Sequence, residues 1–358
     1  MIPGPENIFP RSDPFRSFLF CNARYLTDNE TCFHCLFFYL TADFFCPESR
    51  KSIKMDQREF NNRVMAEMAE YLGEGCSTDV RKVSKNNGIV LDGMIIRKTG
   101  RAVSPTVYLN GFYEEYQEGV SFADVMERII DAYNTHEIPE FSADFFGDYS
   151  KVKTRILYKL INAEKNKEML EDVPHILWND LAIVFYYSFP KGEMENATIL
   201  IRNSNTKMWK VSVDDLRKCS EKNMPELAPD EMVPMSELLE GMLGESSGQD
   251  SLLTAENPGD GRVPMYVLSN RERLYGASAM LYSHRIEALA DDIDRNLYIL
   301  PSSVHEVIIL PDEGEGDPEY LVNTIKEVNE TQVEPDEVLS DKLYYFDRMT
   351  QHITVISA

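Results

Sequence analysis

Chemistry in a new sequence is sought first where cysteine, histidine, serine and carboxylates fall close together. The first such place is "CFHC" at 32–35, where Cys32 and Cys35 stand two residues apart with His34 between them. A close cysteine pair is half of a structural zinc site, which normally uses two such pairs. The other early cysteines, Cys21 and Cys46, each stand alone, with ten residues separating each from the pair. Cys21, Cys32, Cys35 and Cys46 are therefore an incomplete metal set. Haem attachment requires a histidine directly after the second cysteine, and Leu36 occupies that place. No metal and no cofactor is expected.

The second place is "LPSSVHE" at 300–306, which interrupts two apolar runs, "LYIL" and "VIIL". Ser302, Ser303, His305 and Glu306 supply a hydroxyl, an imidazole and a carboxylate, the parts of a nucleophile and its base. A hydrolase or transferase built on them is one reading. The competing reading is a turn between two strands, with serine hydroxyls bonding the local backbone and His305 orienting a carbonyl. Adjacency in sequence does not by itself create convergent geometry, and the turn is favoured.

Other catalytic patterns fail. No phosphate-binding glycine loop is present. His136-Glu137 and His305-Glu306 do not continue to H-E-x-x-H. "GASAM" at 276–280 lacks the second glycine of a nucleophile elbow, and Ser278 reads as a small residue packed in a sheet. Cys219 has no adjacent histidine, and Trp178 and Trp209 read as core anchors. Arg271 and Arg273 fall on a hairpin-like turn able to receive an acidic ligand. The sequons at Asn29, Asn196 and Asn329 matter only in a secreted chain.

The elements that must position these residues follow from hydrophobic period. Residues 1–54 show no sustained period, carry six basic and six acidic residues, and hold nine of the 18 phenylalanines. From Met55 the pattern becomes regular at once. We expect residues 1–54 to be a non-native or disordered extension, with translation beginning at Met55. The alternative is a small cysteine-rich module.

After Met55, a helix is predicted over 56–72, with Phe60, Val64, Met68 and Tyr71 on one face and Asp56 and Glu59 as a capping-box-like start. Three antiparallel strands follow, the first two joined at "NNG", 86–88, because Asn and Gly tolerate positive φ. "SFADVMERIIDAY" is the clearest helix, capped by Ser121 and Asp124. A further helix is expected over "YSKVKTRILYKLINAEKNKEML", burying Val152, Ile156, Leu157, Leu160 and Ile161. "LAIVFYY", 181–187, is continuously apolar and reads as a strand buried on both faces, with "NATILIRN" its partner. A helix starts after Ser212. Residues 226–262, rich in Pro, Gly, Ser and acid, read as an acidic flexible linker, with one short helix near "MSELLEGML". Strands and helices alternate again from 263. The expected fold is α+β, with mixed, mainly antiparallel sheets and packed helices, in two domains over 55–225 and 263–358.

Charge narrows the functions. The chain of 358 residues carries a net −24. Residues 226–261 hold nine acids and no Lys or Arg; residues 312–341 hold eleven acids and only Lys326 as a base. Such a surface repels nucleic acid and anionic lipid, so direct binding to either is disfavoured. It suits a basic or DNA-binding protein as partner. No run of about 18 apolar residues and no secretory leader is seen, so a cytoplasmic protein is expected. Oligomeric state is not readable from the sequence.

Several segments together, "KNNGIVLDGMIIR", "SPTVYLNGFYEEYQEG", "DLAIVFYYSF", "PMYVLSNRERLYGASAMLY", "LYILPSSVHEVIILP" and "VNETQVEPDEVLSDKLYYFDR", resemble an uncharacterised domain family of gut Clostridia. That family is often met among accessory proteins of conjugative or integrative elements. The resemblance runs in order from about 55 to 355. It implies a bacterial cytoplasm and a mobile-element setting, and carries no catalytic residue across.

Overall fold

The computed structural model describes residues 54–99, 104–134, 143–190, 197–238, 264–314 and 317–356. Cys21, Cys32, Cys35 and Cys46, residues 1–53 of the expected extension, and residues 239–262 of the expected linker lie outside them. The chain divides into two compact units. One takes residues up to Val83 and Leu91–His136; the other takes Ser84–Val90 and Glu137 onward.

In the first unit, helix α1 (Gln57–Leu72) starts where Asp56 accepts a hydrogen bond from the Glu59 N–H, as the sequence predicts. Strands β1 (Cys76–Ser84), β2 (Val90–Lys98) and β3 (Thr106–Tyr108) form a three-stranded sheet in that order. Helices α2 (Asn110–Glu118) and α3 (Phe122–Asn134) complete the unit, and Ser121 caps α3 by accepting from the Asp124 N–H. Phe60, wholly buried, centres the core: its ring meets Tyr113, Tyr116 and Phe122 at centroid distances of 5.3, 5.6 and 5.8 Å.

The second unit holds two antiparallel sheets. In the first, β4 (Ile156–Asn162) pairs with one edge of β6 (Leu181–Ser188), while β5 (His175–Trp178) and β7 (Thr198–Leu200) share the other edge. Here the structure corrects the predicted helix over 149–170. Only Tyr149–Val152 and Lys167–Leu170 are α-helical, Lys153–Arg155 is a 3-10 turn, and the apolar run Ile156–Asn162 is a strand. A short apolar run, interrupted here only by Lys159, satisfies a buried strand as well as a helix, and pairing with β6 along all seven residues decides it. Helices α4 (Asn203–Trp209) and α5 (Val213–Leu227) follow, α5 with Ser212 and Asp215 as its capping box.

The second sheet has six strands in the order β13-β12-β10-β11-β9-β8, all antiparallel. Its members are β8 (Asp230–Pro234), β9 (Tyr266–Asn270), β10 (Leu297–Leu300), β11 (Val307–Pro311), β12 (Leu343–Asp347) and β13 (His352–Ile356). Helices α6 (Arg285–Ile293) and α7 (Pro318–Thr331) connect them. Strand β8 lies inside the expected 226–262 linker and pairs along its length with β9, so part of that stretch is sheet. A boundary there does not match the observed division at 136–137. Ser278 is fully buried as predicted, but in a 3-10 turn (Gly276–Leu281) rather than in a sheet.

The fold is thus α+β with mainly antiparallel sheets. Among the described residues, no helix is long and apolar enough to cross a membrane.

Candidate functional site

Strand β10 ends at Leu300 and β11 begins at Val307, so Ser302–Glu306 form the connection between them. This connection is zipped to the segment before β12. The Val304 N–H donates to Glu337 O, Leu339 N–H to Ser302 O and Ser340 N–H to Pro301 O, each at 2.9 Å. Ser303 is buried, and its Oγ accepts from the His305 N–H at 3.0 Å. That is the local serine-to-backbone bond expected of a turn.

His305 is 9% exposed and is gripped from both sides. Nε2 lies 3.4 Å from Glu337 Oε1. Nδ1 lies 3.1 Å from Arg273 O and 3.3 Å from the Tyr275 N–H. A neutral ring with its proton on Nε2 accepts from Tyr275; a protonated ring donates to Arg273 O instead. The Tyr275 ring stacks on the imidazole at 5.7 Å and 14°. Burial disfavours the charged ring, but Glu337, Glu306 and the Arg273 carbonyl together outweigh it and raise the His305 pKa. Burial raises the Glu306 carboxyl as well, and its shielded Oε2 has no hydrogen-bond partner.

Both nitrogens of His305 are therefore engaged by the Arg273–Tyr275 turn and by Glu337, and neither meets a serine hydroxyl. The structure brings Ser303, His305 and Glu306 together without forming a nucleophile–base pair. Ser302 is held through its carbonyl, which accepts from the Leu339 N–H.

Of the four further residues that complete this knot, only Arg273 is singled out by the sequence, and with another role. Arg273 and Tyr275 have φ of 52° and 55°, a left-handed backbone uncommon for such side chains. Arg273 bonds Glu231 at 2.9 Å rather than facing out to an acidic ligand. Glu337 comes from a distant acidic stretch. Lys159 Nζ lies 3.8 Å from the centroid of the Tyr275 ring. Its positive charge, against the opposing effect of burial, draws the Tyr275 hydroxyl below its usual pKa. The "SNRERLYG" turn signal was visible; its partners were not. Gly276 closes the turn because a Cβ there would run into Ser269 Oγ, His305 O and Asn270 N.

A second feature is an open groove of about 530 Å³, whose wall includes Asn87, Lys165, Asn329, Glu330 and Glu334. Asn87 sits at φ 58°, as the "NNG" turn requires. Its N–H donates to Asn166 Oδ1 at 2.8 Å, and Asn166 Nδ2 returns a bond to Asn87 Oδ1 at 3.0 Å. Asn87 Nδ2 donates to Pro335 O and Val338 O at 2.9 and 2.7 Å. Asn329, in the last turn of α7, is 7% exposed. Its Nδ2 donates to Ser340 O at 3.0 Å and to Asp341 Oδ1 at 2.7 Å, while its Oδ1 has no partner. This burial rules the Asn329 sequon out as a sugar acceptor in the folded chain.

Two other residues, Cys219 and Trp209, are hydrogen-bonded to the backbone. Cys219 Sγ donates to Lys153 O at 2.6 Å, and burial raises its thiol pKa, away from the reactive thiolate. Trp209 is buried and donates through Nε1 to Phe146 O at 2.9 Å. Among the described residues no group of three or more His, Cys, Asp or Glu is placed to hold a metal.

No curated protein and no solved structure is detectably similar to the chain. The pattern of one protein family matches residues 57–348, which span both units and include the knot and the groove. The chain belongs to that family, a family of unknown function designated DUF5688.

Proposed function

We propose that the chain acts without catalysis, by binding a basic protein, as a regulatory accessory factor in a bacterial cytoplasm. The observation that carries this reading is the outward face of α7 and the segments beside it. Glu313, Glu319, Glu327, Glu330 and Glu334 are exposed, and among the described residues no Lys or Arg forms an ion pair with them. Within one Debye length such carboxylates add their fields, which attract and orient a cationic partner. Tyr320 stands among them at 68% exposure and offers the aromatic surface that protein interfaces favour. A DNA-binding protein is the sharper form of such a partner. The resemblance over 55–355 supports a mobile-element setting. The catalytic alternative gains no support from His305, whose nitrogens are committed to Glu337 and to backbone.

The test is affinity capture from the source cells with the tagged full chain, compared with a Glu313→Lys, Glu319→Lys, Glu327→Lys variant. A control reverses exposed acids of the first unit, Glu70, Glu74 and Glu118. The reading predicts a basic protein captured by the parent and the control but lost from the α7 variant. Equal capture by all three, or capture of no basic protein, contradicts it.

A further inference from the structure

The two edges of the six-stranded sheet are built differently. At one edge, β8 carries Asp230 and Glu231, which pair with Arg285 and Arg273, and it ends in Pro234, which has no N–H to offer. The Asp230 carbonyl also accepts from Arg285 at 3.4 Å. Charge and proline of this kind keep an edge from pairing with another chain. At the other edge, β13 consists of His352, Ile353, Thr354, Val355 and Ile356, with no proline and no Lys, Arg, Asp or Glu. Its last four residues are β-branched, the side chains that strands favour. All five pair with β12, and among the described residues no hydrogen bond reaches the opposite side of the strand. His352 and Thr354 are exposed, while Ile353 and Val355 lie half-buried against the core that holds Leu297, Ile299, Tyr344 and Phe346.

We propose that β13 is a pairing edge for a second copy of this chain, the two β13 strands running antiparallel about a twofold axis at Thr354. A strand that pairs antiparallel with itself supplies both halves of the contact, as twofold symmetry requires. In this register Thr354 faces Thr354 of the second copy, Ile353 faces Val355, and His352 faces Ile356. No like-charged carboxylates or amines meet, and the two threonines form a favoured cross-strand pair. Ile353 and Val355 carry the apolar layer of one sheet into the other. Two such short strands bury less than the roughly 1,200 Å² of a standard stable interface, so the dimer is weak and depends on concentration. The net charge of −24 on each copy opposes the approach, so salt strengthens the pairing. That sign is opposite to the one expected for capture of a basic protein, and the pairing does not depend on that reading.

Sedimentation equilibrium of the full chain tests the assignment, over about 1 µM to about 1 mM protein and at about 50 and about 300 mM salt. The expected mass rises with concentration toward twice that of the chain, and rises further at the higher salt. Thr354→Lys and Thr354→Glu each set like charges face to face and stay monomeric throughout. Mixed in equal amounts, the two variants associate again, at least as tightly as the parent, because opposite charges now meet. Urea midpoints close to the parent's show that both variants fold. A parent that is monomeric at every concentration overturns the assignment. So does a dimer that survives either substitution, or a mixture that stays monomeric.

Discussion

The knot around His305 and the groove beside Asn329 are built from the same kinds of residue and use them in opposite ways. In the knot, imidazole, guanidinium and carboxylates turn inward, and their charges are spent on Arg273, Glu231, Glu337 and the backbone. In the groove and along α7, carboxylates turn outward and an asparagine oxygen stays unmatched. The cluster that looked most chemical holds the sheet connection in place. The acidic stretch at 312–341 leaves Glu319, Glu327 and Glu330 exposed along α7.

That contrast is broken most severely at Gly276. Gly276→Ala drives a Cβ into Ser269, Asn270 and the His305 carbonyl, two of them backbone contacts that cannot swing aside. Overpacking of this kind is expected to cost about 3 kcal/mol in urea unfolding. An alanine variant as stable as the parent would show that the knot is loose.

Asn87→Ala comes next. It removes two donated bonds to Pro335 O and Val338 O and the bond received from Asn166 Nδ2, and sets an alanine at a left-handed position. A loss of about 2 kcal/mol is expected, with faster amide exchange at Val338 and Leu339. Unchanged exchange there would separate the turn from the groove wall.

A smaller effect is expected from pH. His305 and Glu306 both have pKa values raised in the folded chain. A raised folded pKa gives stability that is complete below the unfolded pKa and is lost as pH rises through the folded one. The melting temperature of the second unit should therefore fall as pH rises from about 5 to about 8. Glu306→Gln, which keeps the shape and removes the titration, should flatten that slope. A slope of the opposite sign would place the ring's charge elsewhere.

The smallest change in stability is expected where the functional change is largest. Glu313→Lys, Glu319→Lys and Glu327→Lys alter exposed residues, and each should shift stability by about 0.5 kcal/mol or less.

Much of this was legible in the sequence. The cap at Asp56, the Ser121 and Ser212 starts, the "NNG" turn and the doubly buried strand at 181–188 are local signals that the structure keeps. Strand β4 was not legible, because its partner lies some twenty residues on and its apolar run fits two periods. The 226–262 boundary failed for a similar reason: composition shows a loop but not that β8 re-enters the sheet beside β9. The Ser303–Glu306 cluster was visible as polar residues at a turn. Its partners Arg273, Glu231 and Glu337 were hidden, since they arrive from three other segments. The groove was invisible, because Asn87, Asn166 and Asn329 are far apart along the chain and read singly as turn, helix and sequon residues.

The central claim, that the α7 surface recruits a basic partner by charge, is tested most directly by the salt dependence of the captured partner's affinity for the full chain. The account predicts a dissociation constant that rises at least about tenfold between 50 and about 300 mM salt. It predicts that the Glu313→Lys, Glu319→Lys, Glu327→Lys variant removes most of that dependence along with the affinity. Binding indifferent to salt, or equally strong in that variant, would contradict it.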